Sequence, residues 1–260
     1  MAERLKIASQ GQGTPLVFIH GWGLNSAVWQ PCLAQLQTDF EVITLDLPGF
    51  ARNNSFELSD YSLVALAEHI QQAVAKPAVY IGWSLGGLVA SQISLNYPEQ
   101  VLGLVTVASS PQFVERAYWP GIKASVLALF HQQLKQDTSK TISNFLKIQA
   151  MGSPHIRQDV KKMRDLVMQH PQPSQQVLDD SLQLLETSDL SAQLTGITQP
   201  FLRLYGKLDG LVPKQVVPLI DRLAPNSDSY VFEQASHAPF ISHQAEFLAI
   251  LTAWLTKQVN

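Results

Sequence analysis

A single cysteine, Cys32, occurs in the 260 residues, so no disulfide can close within the chain, and such usage fits a reducing compartment. Cys32 follows Pro31 in an early helical pattern, which assigns it to packing; thiol catalysis would need a base arranged beside it. Long apolar runs are also missing. No stretch of ~18 apolar residues is present to span a bilayer, and the opening "MAERLKIASQ" has neither the apolar core nor the small-residue cleavage site of a secretory signal. A cytoplasmic location is therefore the expectation. Charge of one sign is scarce: 18 Lys and Arg stand against 21 Asp and Glu, a net charge of -3, which gives no global reason to expect nucleic acid or membrane binding. No His, Cys and Asp cluster has metal-ligand spacing, so no metal is expected. There is no internal repeat and no low-complexity tract.

What the chain does have is alternation. Apolar runs at 15–20, 41–47, 78–83 and 101–109 are separated by helical patterns at 26–37, 61–75 and 85–97, the signature of a parallel sheet built from βαβ units. From 111 to 192 the strands stop and only helical patterns follow. Strands resume at 200–206 and 229–234, each leading into a helix. Because the sheet is incomplete without those last strands, residues 111–192 are expected to be a helical lid inserted into one core made of 1–110 and 193–260.

Chemistry concentrates in "AVYIGWSLGGLVASQ", residues 78–92, where a strand passes into a helix through one serine. Gly82-Trp83-Ser84-Leu85-Gly86 fits Gly-x-Ser-x-Gly, the tight strand-to-helix turn that lifts a nucleophile above a sheet edge. The turn forces its central residue into a strained conformation, and side chains two positions to either side would collide with it. Glycines kept only for helix-sheet packing are the plainer explanation, but the position within a βαβ series favours the elbow. The turn also puts the Leu85 N–H and a helix N-terminus beneath any oxygen that becomes negative during attack.

Serine needs a base, and the base needs an orienting carboxylate. In α/β hydrolases these follow the serine in the order acid then histidine, on loops after late strands. His237, directly beyond the last strand, is the candidate base; His243 falls in the next helical pattern and suits a solvent-facing role. Asp209, in "LRLYGKLDGLVP", is the candidate acid, with Asp221 on a helix and Asp228 in a polar turn as rivals. The second oxyanion donor is expected from "IHGWGLNS" after the first core strand, as the Trp22 backbone N–H, with His20 bracing the loop. That loop faintly imitates a dinucleotide fingerprint, but its third glycine and the ribose-binding acid are missing, so no nucleotide cofactor is expected.

Together, "HGWGLNSAVW", "LDLPGF", "GWSLGGLVASQI", "LVTVASSP", "YWPGIK", "PFLRLYG", "LDGLVP" and "HAPFISH" resemble the pimeloyl-acyl-carrier-protein methyl ester esterases of biotin synthesis, carboxylesterases of the α/β-hydrolase fold. The likeness extends over nearly the whole chain. It implies cleavage of a methyl ester from pimeloyl held on acyl carrier protein, with no cofactor. It also implies that Trp22, Ser84, Leu85, Phe145, Leu146, Lys147, Ile148, Gln149 and His237 contact the substrate. One departure is Ala51, where the family has glycine after "LPGF", followed by Asn53-Asn54, which leaves the shape of that loop open.

Two features of the lid bear on substrate. In "TISNFLKIQAM", Ile142, Phe145, Leu146 and Met151 fall near helical spacing and are expected to turn toward the cleft, although packing between lid helices explains the same pattern. Residues 140–164 carry six bases, Lys140, Lys147, Arg157, Lys161, Lys162 and Arg164, against one acid, Asp159. A solvated helix face accounts for such a run. Acyl carrier proteins are acidic, and the resemblance gives Lys140, Arg157, Lys161 and Arg164 a role in carrier contact. The enzyme is expected to be a monomer. A short-chain esterase, lactonase, perhydrolase or C–C bond hydrolase would share the same triad, and a non-catalytic ligand-binding relative is a more distant alternative.

Overall fold

The computed structural model describes residues 4–259. Its seven strands are β1 (Ile7–Gln10), β2 (Thr14–Ile19), β3 (Phe40–Leu45), β4 (Ala78–Trp83), β5 (Val101–Val107), β6 (Phe201–Gly206) and β7 (Asp228–Phe232). They form one sheet in the order β1-β3-β2-β4-β5-β6-β7. Only β1 is antiparallel, pairing with β3; the other pairs are parallel. The fold is therefore an α/β-hydrolase fold with a mostly parallel sheet.

Parallel strands buried on both faces read as continuous apolar runs, and β4 is buried at all six positions. Alternate side chains feed two cores. Val17, Ile19, Ile43, Leu45 and Tyr80 enter one cluster, while Leu16, Phe18, Val42, Val79 and Ile81 enter the other. The first face is covered by α2 (Leu63–Val74) and α3 (Leu85–Asn96), the second by α1 (Gln30–Leu36) and the C-terminal α10 (Gln244–Gln258). In α2 the Ser62 hydroxyl accepts from the Ala65 N–H and starts the helix, and Leu63, Leu66, Ala67, Ile70 and Val74 form its buried stripe.

Between β5 and β6 the chain runs through α4 (Ala124–Gln136), α5 (Thr138–Gln149), α6 (Ile156–Val167) and α7 (Gln175–Thr187). After β6 come α8 (Val217–Leu223) and, beyond β7, the short α9 (Pro239–Ser242). His243 sits at the junction of α9 and α10, half-buried, with its Nδ1 2.8 Å from Ser242 Oγ. The helical pattern at 26–37 divides into a 3-10 turn over Ser26–Trp29 and then α1, which Pro31 helps to start. Among the described residues, no helix is long and apolar enough to cross a membrane.

The loop after β3, whose shape the sequence left open, is tied down by Asn53. Its carboxamide donates to Lys6 O at 3.1 Å and Asp46 O, and accepts from the Lys6 N–H at 2.8 Å. Ala51, the residue after "LPGF", is held at φ 39, in the left-handed region.

Strand order fixes where chemistry can occur. The chain passes from β2 to β3 on one side, then returns to place β4 on β2's other side. The loops leaving β2 and β4 thus diverge, opening a crevice at the carboxyl ends of the strands.

Candidate active site

Ser84 occupies the β4-α3 turn with φ 55 and ψ -118, a strained conformation for a residue with a side chain. Its N–H donates to Val107 O at 2.9 Å, and its carbonyl accepts from the Ser109 hydroxyl at 2.8 Å, so neighbouring structure holds the strain in place. A Cβ on Gly82 would collide with the Gly86 carbonyl, and one on Gly86 with the carbonyls of Ile19 and His20. The glycines are thus needed for close approach, as the motif predicts.

His237 follows β7 and is fully buried. Its Nδ1 lies 2.7 Å from Asp209 Oδ2. The other Asp209 oxygen accepts from the N–H groups of Leu211 at 2.8 Å and Val212 at 3.0 Å, which fixes the carboxylate before it meets the ring. A carboxylate there assigns the proton to Nδ1 and leaves Nε2 as the acceptor. That Nε2 is buried and, among the described residues, has no hydrogen-bond partner. The Trp83 indole, one residue before Ser84, donates to His237 O at 2.8 Å and brings the histidine loop against the elbow. No hydrogen bond joins Ser84 Oγ to His237 Nε2.

The rival acids are employed elsewhere: Asp221 pairs with Arg203 at 2.5 Å, and Asp228 accepts from the Trp254 indole at 3.1 Å. His20 is a brace. Its Nδ1 lies 2.8 Å from Gly21 O, and its Nε2 accepts from the Leu47 N–H at 3.0 Å. Only a neutral imidazole makes both bonds, and burial lowers its pKa, outweighing the opposing pull of the Asp46 charge. Among the described residues, neither the Trp22 nor the Leu85 N–H has a hydrogen-bond acceptor, leaving both free for an oxyanion.

Beside Ser84 lies a tight cavity of about 10 Å³, walled by Phe113, Ile122, Leu127, Phe130, Phe145, Leu182, Leu185 and Leu211. Apart from the serine, every wall residue is apolar. The Trp22 ring meets Phe145 edge-on, with centroids 4.8 Å apart, and its indole donates to Leu178 O at 3.0 Å. Most of these wall residues escape a reading of the sequence, because a stripe lining a cavity has the same spacing as one filling a core.

This is the fold described by the profile of the alpha/beta hydrolase fold family, which matches residues 14–244. The chain belongs to that family. Solved structures with the same fold include an esterase from Exiguobacterium antarcticum (TM-score 0.86, 23% identity, 97% of this chain and 95% of that one). A bromoperoxidase from Bacillus anthracis (0.87, 20%, 96% and 94%) and an enol-lactonase from Burkholderia xenovorans (0.83, 15%, 97% and 96%) are similar in the same way. At these identities the likeness is one of fold.

In this α/β hydrolase the α5 residues divide by helical position. Phe145, Leu146 and Gln149 are buried, Ile148 is half-buried, and Lys147 is exposed, its ammonium 3.3 Å from Asn144 Oδ1. Met151 corrects an expectation: it lies beyond the end of α5 and is 58% exposed, outside the apolar face. Leu146 packs in the core cluster on the far side from Ile142 and Phe145. Gln149 is 1% exposed, and among the described residues neither its side-chain oxygen nor its nitrogen has a partner. Lys140, Arg157, Lys161 and Arg164 are all exposed, while Met163 and Val167 of α6 are buried. Lys161 pairs with Asp165, an acid just past the basic run, which reduces the charge the stripe presents.

Proposed function

We propose that the protein is a serine carboxylesterase that hydrolyses the methyl ester of pimeloyl-acyl-carrier protein. The observation that carries the ester chemistry is the buried, unpaired His237 Nε2, polarised through Nδ1 by Asp209 and adjoining the elbow that presents Ser84. The finer substrate rests on the sequence resemblance, and two features support it. The apolar side chains beside Ser84 suit contact with a methylene chain that parts them, and exposed bases on α5 and α6 suit an acidic carrier.

In this reading His237 Nε2 takes the Ser84 proton as Oγ attacks the ester carbonyl. The resulting oxyanion accepts from the Trp22 and Leu85 N–H groups. Collapse breaks the ester bond, and methanol leaves with the proton returned by Nε2. A water, deprotonated by the same nitrogen, then attacks the acyl-serine, releasing the acid and restoring the hydroxyl.

The test compares a carrier-bound pimeloyl methyl ester with free short-chain esters, using wild type, Ser84→Ala and the pair Arg157→Glu with Lys161→Glu. Ser84→Ala should lose on the order of 10⁶ in kcat on both substrates. Charge reversal should lower kcat/KM for the carrier-bound ester alone, and added salt should mimic it. Equal responses of both substrates would assign the stripe to solvation, and preference for free esters would favour a short-chain esterase.

A further inference from the structure

The inserted helices touch the core at the two loops that carry the chemistry. Asn25, three residues past Trp22 in the loop after β2, is buried. Its Oδ1 accepts from the Ala27 N–H at 3.1 Å and caps the 3-10 turn, while its Nδ2 donates to Val167 O at 2.9 Å, in the last residue of α6. Ser236, immediately before His237, makes the matching contact. Its hydroxyl donates to Met151 O at 2.6 Å, just beyond α5, and the next N–H, that of His237, donates to Gln149 O at 3.2 Å. On its other side Ser236 is pressed against the end of β6, where a Cβ on Gly206 would collide with the Ser236 carbonyl.

We infer that Asn25 and Ser236 are positioning residues, clips by which the helical insertion, beside the bond from the Trp22 indole to Leu178 O, holds the oxyanion loop and the histidine loop in working register. The physical argument is one of constraint. The catalytic histidine's backbone hangs between the Trp83 indole on the core side and the end of α5 on the other, and its ring angle follows that backbone. The Trp22 N–H must point at an oxygen that exists only during reaction, and a misplacement of ~1 Å in such groups costs up to ~10² in rate. Neither clip faces the reacting atoms, so each acts through the loop that it holds. The insertion then does more than cover the pocket. Its seated position is a condition for both the base and the oxyanion hole to be in place, so release of either clip lowers turnover even for an ester too small to need the cavity. This inference rests on the serine-hydrolase assignment and not on the carrier-bound substrate.

The test uses Asn25→Ser, which keeps a capping oxygen but cannot reach Val167, and Ser236→Ala, alone and combined, in the full-length enzyme. Turnover of p-nitrophenyl acetate, inactivation by a small serine-directed phosphonate, and thermal unfolding are measured on each. Each single variant should lose ~10-fold in kcat with KM within about twofold, a parallel loss in inactivation rate, and a melting temperature well above that of the assay. Because both clips seat the same insertion, the double variant should lose less than the product of the two. A lowered melting temperature with unchanged kcat would overturn the inference, making the clips structural only. A rise in KM alone, or a double loss equal to the product, would overturn it as well. If wild type fails to turn over the ester, the activity assignment fails separately, and the phosphonate rates still decide the role of the clips.

Discussion

Arg203 is 1% exposed, and its guanidinium lies 2.5 Å from Asp221 Oδ1. Its Nε donates to Ser227 Oγ at 2.9 Å. Asp221 therefore neutralises a buried charge on β6, whereas Asp209, at the carboxyl end of the same strand, orients His237. Two carboxylates twelve positions apart should fail in different ways. Asp209→Asn should keep the fold and lose on the order of 10⁴ in kcat, because the amide favours the wrong imidazole tautomer. Asp221→Asn should leave kcat near wild type and lower stability by about 1–2 kcal/mol, a modest figure because that carboxylate is about half exposed. Steady-state rates and urea melts on the same preparations separate the two.

Phe145 closes one wall of the cavity and stands edge-on to both Trp22 and Phe130. Phe145→Ser should raise KM for esters of pimeloyl length more than for acetate esters, with Phe145→Leu intermediate. Removing the ring should also cost about 3 kcal/mol in stability, so rates belong well below the melting temperature. Equal effects on long and short esters would place Phe145 in packing between helices alone.

His20 makes stability depend on pH. Burial holds its pKa below the ordinary 6.5, so the unfolded chain takes up a proton that the folded one refuses. The ring's contribution is complete above 6.5 and is lost as pH falls below it, at up to ~1.4 kcal/mol per pH unit. Urea unfolding between pH 7.5 and 5 should show a shallower slope in His20→Asn than in wild type, whatever the variant's absolute stability. An unchanged slope would move the acid sensitivity to other groups.

Ala51, at φ 39, bears a strain that glycine would relieve. Ala51→Gly should stabilise the protein by about 0.5–1 kcal/mol, less than the full left-handed penalty because glycine also loosens the unfolded chain. Thermal unfolding should register a rise of about 1–4 °C with activity unchanged.

The local pattern of residues determined much of this protein on its own. A strand running into Gly-x-Ser-x-Gly allows one turn geometry, because the glycines permit backbone contacts that a Cβ would block, so Ser84 was legible from that spacing together with its place at a strand-to-helix junction. Apolar runs without alternation required strands buried on both faces, which is what β4 shows. Edge strand β1 left no such mark: "IASQ" is short and half-exposed, and its pairing with β3 supplies the order that its composition does not. Residues defined by distant partners were invisible for the same reason. Asn25 and Ser236 are ordinary polar residues until a fold brings Val167 and Met151 against them, and Arg203 explains Asp221 only once α8 lays that carboxylate beside β6. Helical spacing gave Ile142, Phe145 and Leu146 a common apolar character, but the tertiary structure decided which of them meets the cavity. An apolar stripe records that a side chain is buried, and only the surrounding packing decides whether protein or empty space lies against it.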